Sequence, residues 1–320
     1  MAPLWGPPST TLLARVAAGQ VGGVILLGHG WTSSAQTAAA IARLQSVACM
    51  KRGEPLLVGV DQEGGTVRRF RWAAPSISAA GVATAADAQA EAAAAARALR
   101  VAGVGIDFAP VADVVATPAS FLGTRAFGSD PALVGQRVAA FVTGLQSTGV
   151  AATAKHFPGL GSATVSTDDR RVTIGRSAAF LTARLEPFRA AIGSGVQLVM
   201  VSSASYPALD PSGTPALFSR SIVTGLLRGT LGFGGVVVTD AIDAPAPAAT
   251  PHAAARAIAA GVDLLLYTTT GASERGYVSL LQDAAASPTL RAQLAVAGGR
   301  LRALRTWLAA RGGTTCASKP

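Results

Sequence analysis

The chain is sparing with the residues that usually announce a chemistry. Its 320 residues include two cysteines, three histidines and three lysines. Cys49 and Cys316 stand too far apart to suggest a disulfide framework or a metal-ligand spacing, so they leave the redox compartment open. No metal and no cofactor is expected. Charged residues make up only 14% of the chain, yet no uninterrupted apolar run approaches the roughly 18 residues of a membrane span. The opening MAPLWGPPSTTLL lacks a basic segment followed by an apolar stretch, so no signal peptide is read there. The cytoplasm is then the default location, with export expected if the true start lies upstream and carries a signal.

What is present is a soluble, core-forming composition: half the residues are apolar, enough to bury a sizeable interior. Basic residues outnumber acidic ones by 27 to 17, for a net charge of +10. The arginines are scattered along the chain and no aromatic-basic motif accompanies them, which argues against a nucleic-acid partner. Short apolar runs recur with helix-like stretches between them. The runs cover 22–30, 54–65, 103–114, 149–159, 196–206, 234–243 and 261–271. Each is nearly continuous rather than alternating, as in parallel strands covered on both faces. The intervening stretches at 34–48, 85–103, 131–149, 177–195 and 218–232 have helical spacing and often end in glycine. Strand-helix repetition of this kind predicts a parallel α/β sheet, open or closed.

Polar residues fall where the runs end. Asp61, Glu63, Asp113, Lys155, His156, Ser203 and Asp240 all sit at or just past a strand's C-terminal edge. In a (β/α)8 TIM-type barrel that edge gathers catalytic groups from several strands around one mouth, whereas an open sheet concentrates them at one crevice. The barrel is the expectation, but only seven strands are legible. MAPLWGPPSTT is too rich in proline and polar residues to read as a buried strand, so the first strand is expected to be missing or replaced. That leaves either a start upstream of Met1 or an open, aggregation-prone seam. Residues 1–11 are accordingly expected to be irregular, 12–311 to form the barrel and 312–320 to be a disordered tail.

Three segments carry the chemistry. In VDQEGGTVRRF (60–70), Asp61 is placed to accept hydrogen bonds from hydroxyls, with Arg68 orienting that wall. In KHFPGLG (155–161), Lys155 and His156 offer donors to hydroxyls or anions. The Gly-x-Gly there has no third glycine at the right spacing and no helix after it, so it is not a dinucleotide fingerprint. In VVVTDAID (236–243), a strand delivers Asp240 to its end, where a rigidly held carboxylate suits attack on an anomeric carbon.

Taken together, VDQEGG, GIDFAPVADV, FLGTRAFGSDP, KHFPGLG, PALDPSGTPALFS and LGFGGVVVTDA resemble, in order, the motifs of glycoside hydrolase family 3. The similarity is strongest to its single-domain β-N-acetylglucosaminidases and covers residues 12–308. It implies a β/α barrel and a retaining double displacement. It also implies Asp240 as nucleophile, and Asp61, Arg125, Lys155 and His156 as sugar-binding residues. The expected partner is a small carbohydrate or cell-wall glycan fragment, met by a monomer.

One departure stands out. The family's histidine-aspartate acid/base loop falls here on Ser166, Thr167 and Asp168, with no histidine in it. Leu160 and Ser203 stand where the family has two further histidines. An ordinary aspartate, with a pKa of about 3.9, is a poor acid near neutrality unless desolvation or a second carboxylate raises it. Asp168, or failing it Asp169, is the expected acid/base. His29 ends the first legible strand and is a remote substitute. A phosphorylase and a catalytically silent sugar-binding homologue remain as alternatives.

Overall fold

The computed structural model describes residues 1–316. Six of the predicted apolar runs each supply a strand of a parallel sheet, and an unexpected strand precedes them: β1 (Ala2–Leu4), then β2 (Gly23–Leu26), β3 (Leu57–Val60), β6 (Ile106–Asp107), β7 (Ala151–Phe157), β8 (Leu198–Val201) and β9 (Val236–Thr239), hydrogen-bonded in that order. A small antiparallel hairpin, β4 (Gln62–Gly64) with β5 (Val67–Arg68), follows β3. The last apolar run completes the circle. Leu264 bridges Val238 in parallel, and the Tyr267 N–H donates to the Met1 carbonyl at 3.2 Å. The sheet thus curls into a TIM-type barrel.

The expected gap at the first strand is not there. Ala2, Pro3 and Leu4 pair in parallel with Val24, Ile25 and Leu26. The proline misled because it lacks a backbone donor. In a strand of three residues it forfeits at most one ladder bond, and the neighbours on both sides hold the rest. Residues 1–11 are therefore not irregular throughout, and no seam opens beside them.

Near-continuous hydrophobicity follows from the double covering. Val24 and Leu26 face the helices, while Ile25 and Leu27 face the barrel interior. The same parity separates Val199 and Val201 from Leu198 and Met200. Outside lie α1 (Thr10–Ala17), α2 (Ser34–Arg52), α3 (Ala85–Val101), α4 (Pro131–Ser147), α5 (Ala178–Ala183), α6 (Glu186–Gly193), α7 (Pro245–Ala248), α8 (Ala253–Ala260), α9 (Thr270–Ala286) and α10 (Pro288–Ala309). The helix expected over 177–195 divides into α5 and α6. Pro187 cannot continue an ongoing helix but fits the first turn of a new one. The stretch 218–232 forms a helix of wide π pitch at Ser221–Thr230.

Leu304 and Leu308 of α10 join the barrel's inner cluster and close its lower end. There Arg305 donates to the carbonyls of Pro55 and Gly22. The chain then crosses beneath α3, held by Arg100 on the Arg311 and Gly312 carbonyls, and Cys316 is disulfide-bonded to Cys49 of α2. The expected tail from 312 is thus anchored as far as Cys316, and residues 317–320 lie outside the described residues.

Thiol titration of the native protein is expected to find no free thiol, and two after reduction in denaturant. Cys49→Ser should lower the unfolding free energy by about 2–4 kcal/mol, as measured by urea denaturation with and without reductant.

Candidate active site

Strand geometry explains how four charged side chains come together at the barrel mouth. Asp61 leaves the end of β3, and the β4–β5 hairpin turns Glu63 back over the same opening. Lys155 comes from β7, whose seven residues are all buried. Its Nζ lies 2.7 Å from Asp61 Oδ1 and 2.7 Å from Glu63 Oε1. Arg125 reaches the other side of Glu63 with a two-pronged contact, Nε to Oε2 and Nη2 to Oε1, both 2.8 Å. Two cations thus face two carboxylates in a space that excludes most water. Burial alone would raise the Glu63 pKa, but Lys155 and Arg125 hold it down at about 2. Burial likewise opposes the charge on Lys155, and Asp61 and Glu63 overcome it, raising that pKa above the usual lysine value.

His156 is held differently. Its Nδ1 is 2.7 Å from Asp113 Oδ2, and its backbone N–H also donates to that carboxylate. The Leu160 N–H adds a third donor to Asp113. With Nδ1 so engaged, Nε2 is the ring nitrogen left for the cavity. The Leu160 loop packs so closely that a Cβ at Gly161 would sit 1.8 Å from the Val114 carbonyl oxygen, so only glycine fits.

Opposite these groups stands Asp240, one residue beyond β9. One of its oxygens accepts from the Ala241 N–H at 2.8 Å, and the other lies 3.5 Å from the Thr167 hydroxyl. Thr167 belongs to the loop that carries Asp168. Asp168 is open to solvent on its outer side but faces the cavity on its inner side. Desolvation there, together with the charge on Asp240, pushes its pKa up to about 6. Asp61, Arg125, Lys155, His156, Asp168 and Asp240 all line this one cavity of about 180 Å³.

Comparisons with known proteins identify the family. The sequence profile of the "Glycosyl hydrolase family 3 N terminal domain" matches residues 3–295. The chain belongs to glycosyl hydrolase family 3. It is β-hexosaminidase-like, and a glycosidase by family. It is 34% identical to a β-hexosaminidase of Tolumonas auensis over 85% of this chain and 82% of the relative. The Nitrosomonas eutropha β-hexosaminidase is 33% identical, over 77% of this chain and 73% of that one. Among solved structures, a family 3 β-N-acetylglucosaminidase from Paenibacillus sp. FPU-7 superposes with a TM-score of 0.91 at 32% identity. All of this chain is covered in that match, but it spans only 63% of the Paenibacillus chain. A β-N-acetylhexosaminidase from Beutenbergia cavernae gives a TM-score of 0.86 at 34% identity, covering 95% of this chain and 96% of that one.

Some residues singled out in the sequence lie elsewhere in this family 3 barrel. Arg68 turns outward onto the Phe70 and Arg71 carbonyls. Its neighbour Arg69 is the one that lines the cavity, 3.9 Å from Asp61. His29 is exposed, and His252 contacts Asp283 on the surface. Ser203 is buried, and its hydroxyl has no partner. Asp169 is exposed and is not part of the cavity wall.

Other groups had no sequence signal for their role. Glu63 and Asp113 were visible only as acids at strand ends, and Thr167 only as a loop hydroxyl. Asp107 ends β6, fully buried on the face opposite the inward-pointing Ile106 and Phe108. One of its oxygens accepts from the Gln62 N–H, and the other has no partner. Burial pushes its pKa up to about 8, so at neutrality it is an uncharged acid.

Two outcomes follow. Glu63→Gln should cost about 3 kcal/mol of stability, because it leaves Arg125 buried without its carboxylate; thermal or urea unfolding reads it. Asp107 binds its proton up to about pH 8 in the folded state but only to about pH 4 when unfolded. Between those values the folded state holds the extra proton, so this group's contribution to stability falls as pH rises. The stability of Asp107→Asn relative to the parent should therefore grow from pH 5 to pH 8 in urea titrations.

Proposed function

We propose that the chain is a retaining β-N-acetylhexosaminidase that removes terminal β-linked N-acetylglucosamine from cell-wall-type glycan fragments. The observation that carries this reading is the pairing of two unlike carboxylates in one cavity: Asp240, fixed at a strand end, and Asp168, whose proton is held to about pH 6. The names of the relatives support the sugar.

In this reading an Asp240 oxygen attacks the anomeric carbon as the bond to the aglycone oxygen breaks, and Asp168 gives its proton to that oxygen. Asp168, now a carboxylate, then takes a proton from water. The resulting hydroxide equivalent attacks the anomeric carbon, releasing the sugar and restoring Asp240. Asp61, Arg125, Lys155 and His156 hold the sugar's hydroxyls. Glu63 neutralises Arg125 and shares Lys155 with Asp61, so the cavity can bind a neutral ring without a free buried charge. Water rather than phosphate is the favoured second reactant. Lys155 and Arg125 are already matched by Asp61 and Glu63, and a phosphate dianion would meet the carboxylates of Asp168 and Asp240 with Arg69, itself drawn to Asp61, as the further cation on the wall.

The Cys49–Cys316 bond supports action in an oxidising compartment, where such bonds persist. That is also where cell-wall glycans are met.

Asp240→Asn should lower kcat at least about a thousandfold, and a fluorinated N-acetylglucosaminide should leave a covalent adduct on Asp240 detectable by mass spectrometry. Turnover without any adduct would reject the nucleophile, and sugar binding without turnover would mark a silent binder. As the acid, Asp168 must be protonated for aglycone departure. The kcat/KM of a poorly activated substrate should therefore fall above about pH 6, and Asp168→Asn should abolish that limb. Adding phosphate should yield no sugar phosphate.

A further inference from the structure

Trp5 is the one exposed aromatic side chain among the described residues, with 59% of its surface open to solvent. Apart from Trp5, every tryptophan is at least half covered. Its place in the barrel is what gives it meaning. It follows directly on β1, so it stands at the same C-terminal rim as Asp61, the Lys155–His156 pair and Asp240. The carbonyl of Leu4 accepts from the Leu27 N–H at 3.0 Å, and Leu27 is part of the cavity wall. Trp5 and Gly28 are therefore the next residues up from that wall on two adjacent strands.

The indole is supported from below. A Cβ at Gly28 would lie 3.1 Å from Trp5 Cε3 and 3.5 Å from Cζ3, so the six-membered ring rests on a bare glycine backbone. Gly28 also has φ +75°, a conformation glycine adopts freely. The contact holds the ring in place without covering it.

The cavity indicates what the exposed ring meets. Its volume of about 180 Å³ is below the roughly 300–1,000 Å³ of pockets that enclose drug-sized ligands. It has room for a single sugar ring, and whatever is attached to that ring must leave over the rim. A pyranose carries hydroxyls around its edge and C–H bonds on its faces, so it can offer an apolar face to an indole while its hydroxyls stay in water. On the β1–β2 side that rim is formed by Trp5 and Gly28, each one residue beyond the Leu4–Leu27 hydrogen bond at the cavity wall.

We infer that Trp5 is a stacking platform for the sugar on the aglycone side of the scissile bond, and so selects glycan substrates over simple glycosides. This assignment builds on the glycosidase reading above.

The test is calorimetric, in an Asp240→Asn background that prevents turnover. The dissociation constants of N-acetylglucosamine and N,N′-diacetylchitobiose are measured for that protein, for added Trp5→Ala and for added Trp5→Phe. The disaccharide should bind more tightly than the monosaccharide. Trp5→Ala should shrink that advantage about three- to tenfold, and Trp5→Phe should keep most of it. If Trp5→Ala leaves the ratio unchanged, or weakens both sugars in proportion, the platform is overturned while the sugar site stands. If neither sugar binds even with Trp5 in place, both the platform and the glycosidase reading fail. Absence of turnover by the parent enzyme despite normal binding would reject the hydrolase reading alone.

Discussion

Lys155 shares its ammonium between Asp61 and Glu63 at 2.7 Å each, and Glu63 in turn clamps Arg125. The site is arranged around this buried network. Its members come from the ends of β3 and β7, the β4–β5 hairpin and the loop that follows β6, and none is stable there alone. An isolated buried charge costs several kcal/mol; two of each sign, hydrogen-bonded, offset one another. The network therefore ties the strand order of the barrel to the shape of its mouth. A shift in register at β3 or β7 would leave charge stranded in the interior.

Around that neutral floor the remaining groups are differentiated by their surroundings. Asp107 is buried on the other face of β6 without a cation of its own and keeps its proton at neutrality. Asp113 is fully paired, and it fixes the orientation of His156. Asp168 faces Asp240 across the cavity, and burial together with the nearby Asp240 charge pushes its pKa up to about 6. Five aspartates at one barrel mouth thus have distinct environments without any change of residue type. This is how a loop without a histidine can hold a proton close to neutrality.

The lower end of the barrel has the opposite character. Leu304 and Leu308 seal it, Arg305 and Arg100 satisfy carbonyls around its edge, and the Cys49–Cys316 bond fastens the end of the described chain to α2. Rigidity at that end leaves the upper loops free to carry chemistry, a division common to β/α barrels.

Much of this was decided locally. Continuous apolar runs, glycine-terminated helical stretches and polar residues at the run ends already implied a parallel barrel. The same pattern placed Asp61, Lys155, His156 and Asp240 at its mouth, because a strand as far along the chain as Val236–Thr239 still reports its own burial through its own composition. What tertiary structure alone decided depends on groups distant in sequence. Pro3 is tolerated in β1 because β2 and the 264–267 segment hold the strand from both sides. Arg69 rather than Arg68 faces the cavity because the hairpin's twist sets which side chain turns inward. Glu63 is a clamp and not a cap because Arg125, 62 residues away, lies within reach. Two cysteines separated by 267 residues show no spacing signal, yet the barrel brings their Cα atoms to 5.2 Å. Periodicity records which face of an element is buried; the identity of what lies across from it is a property of the closed fold.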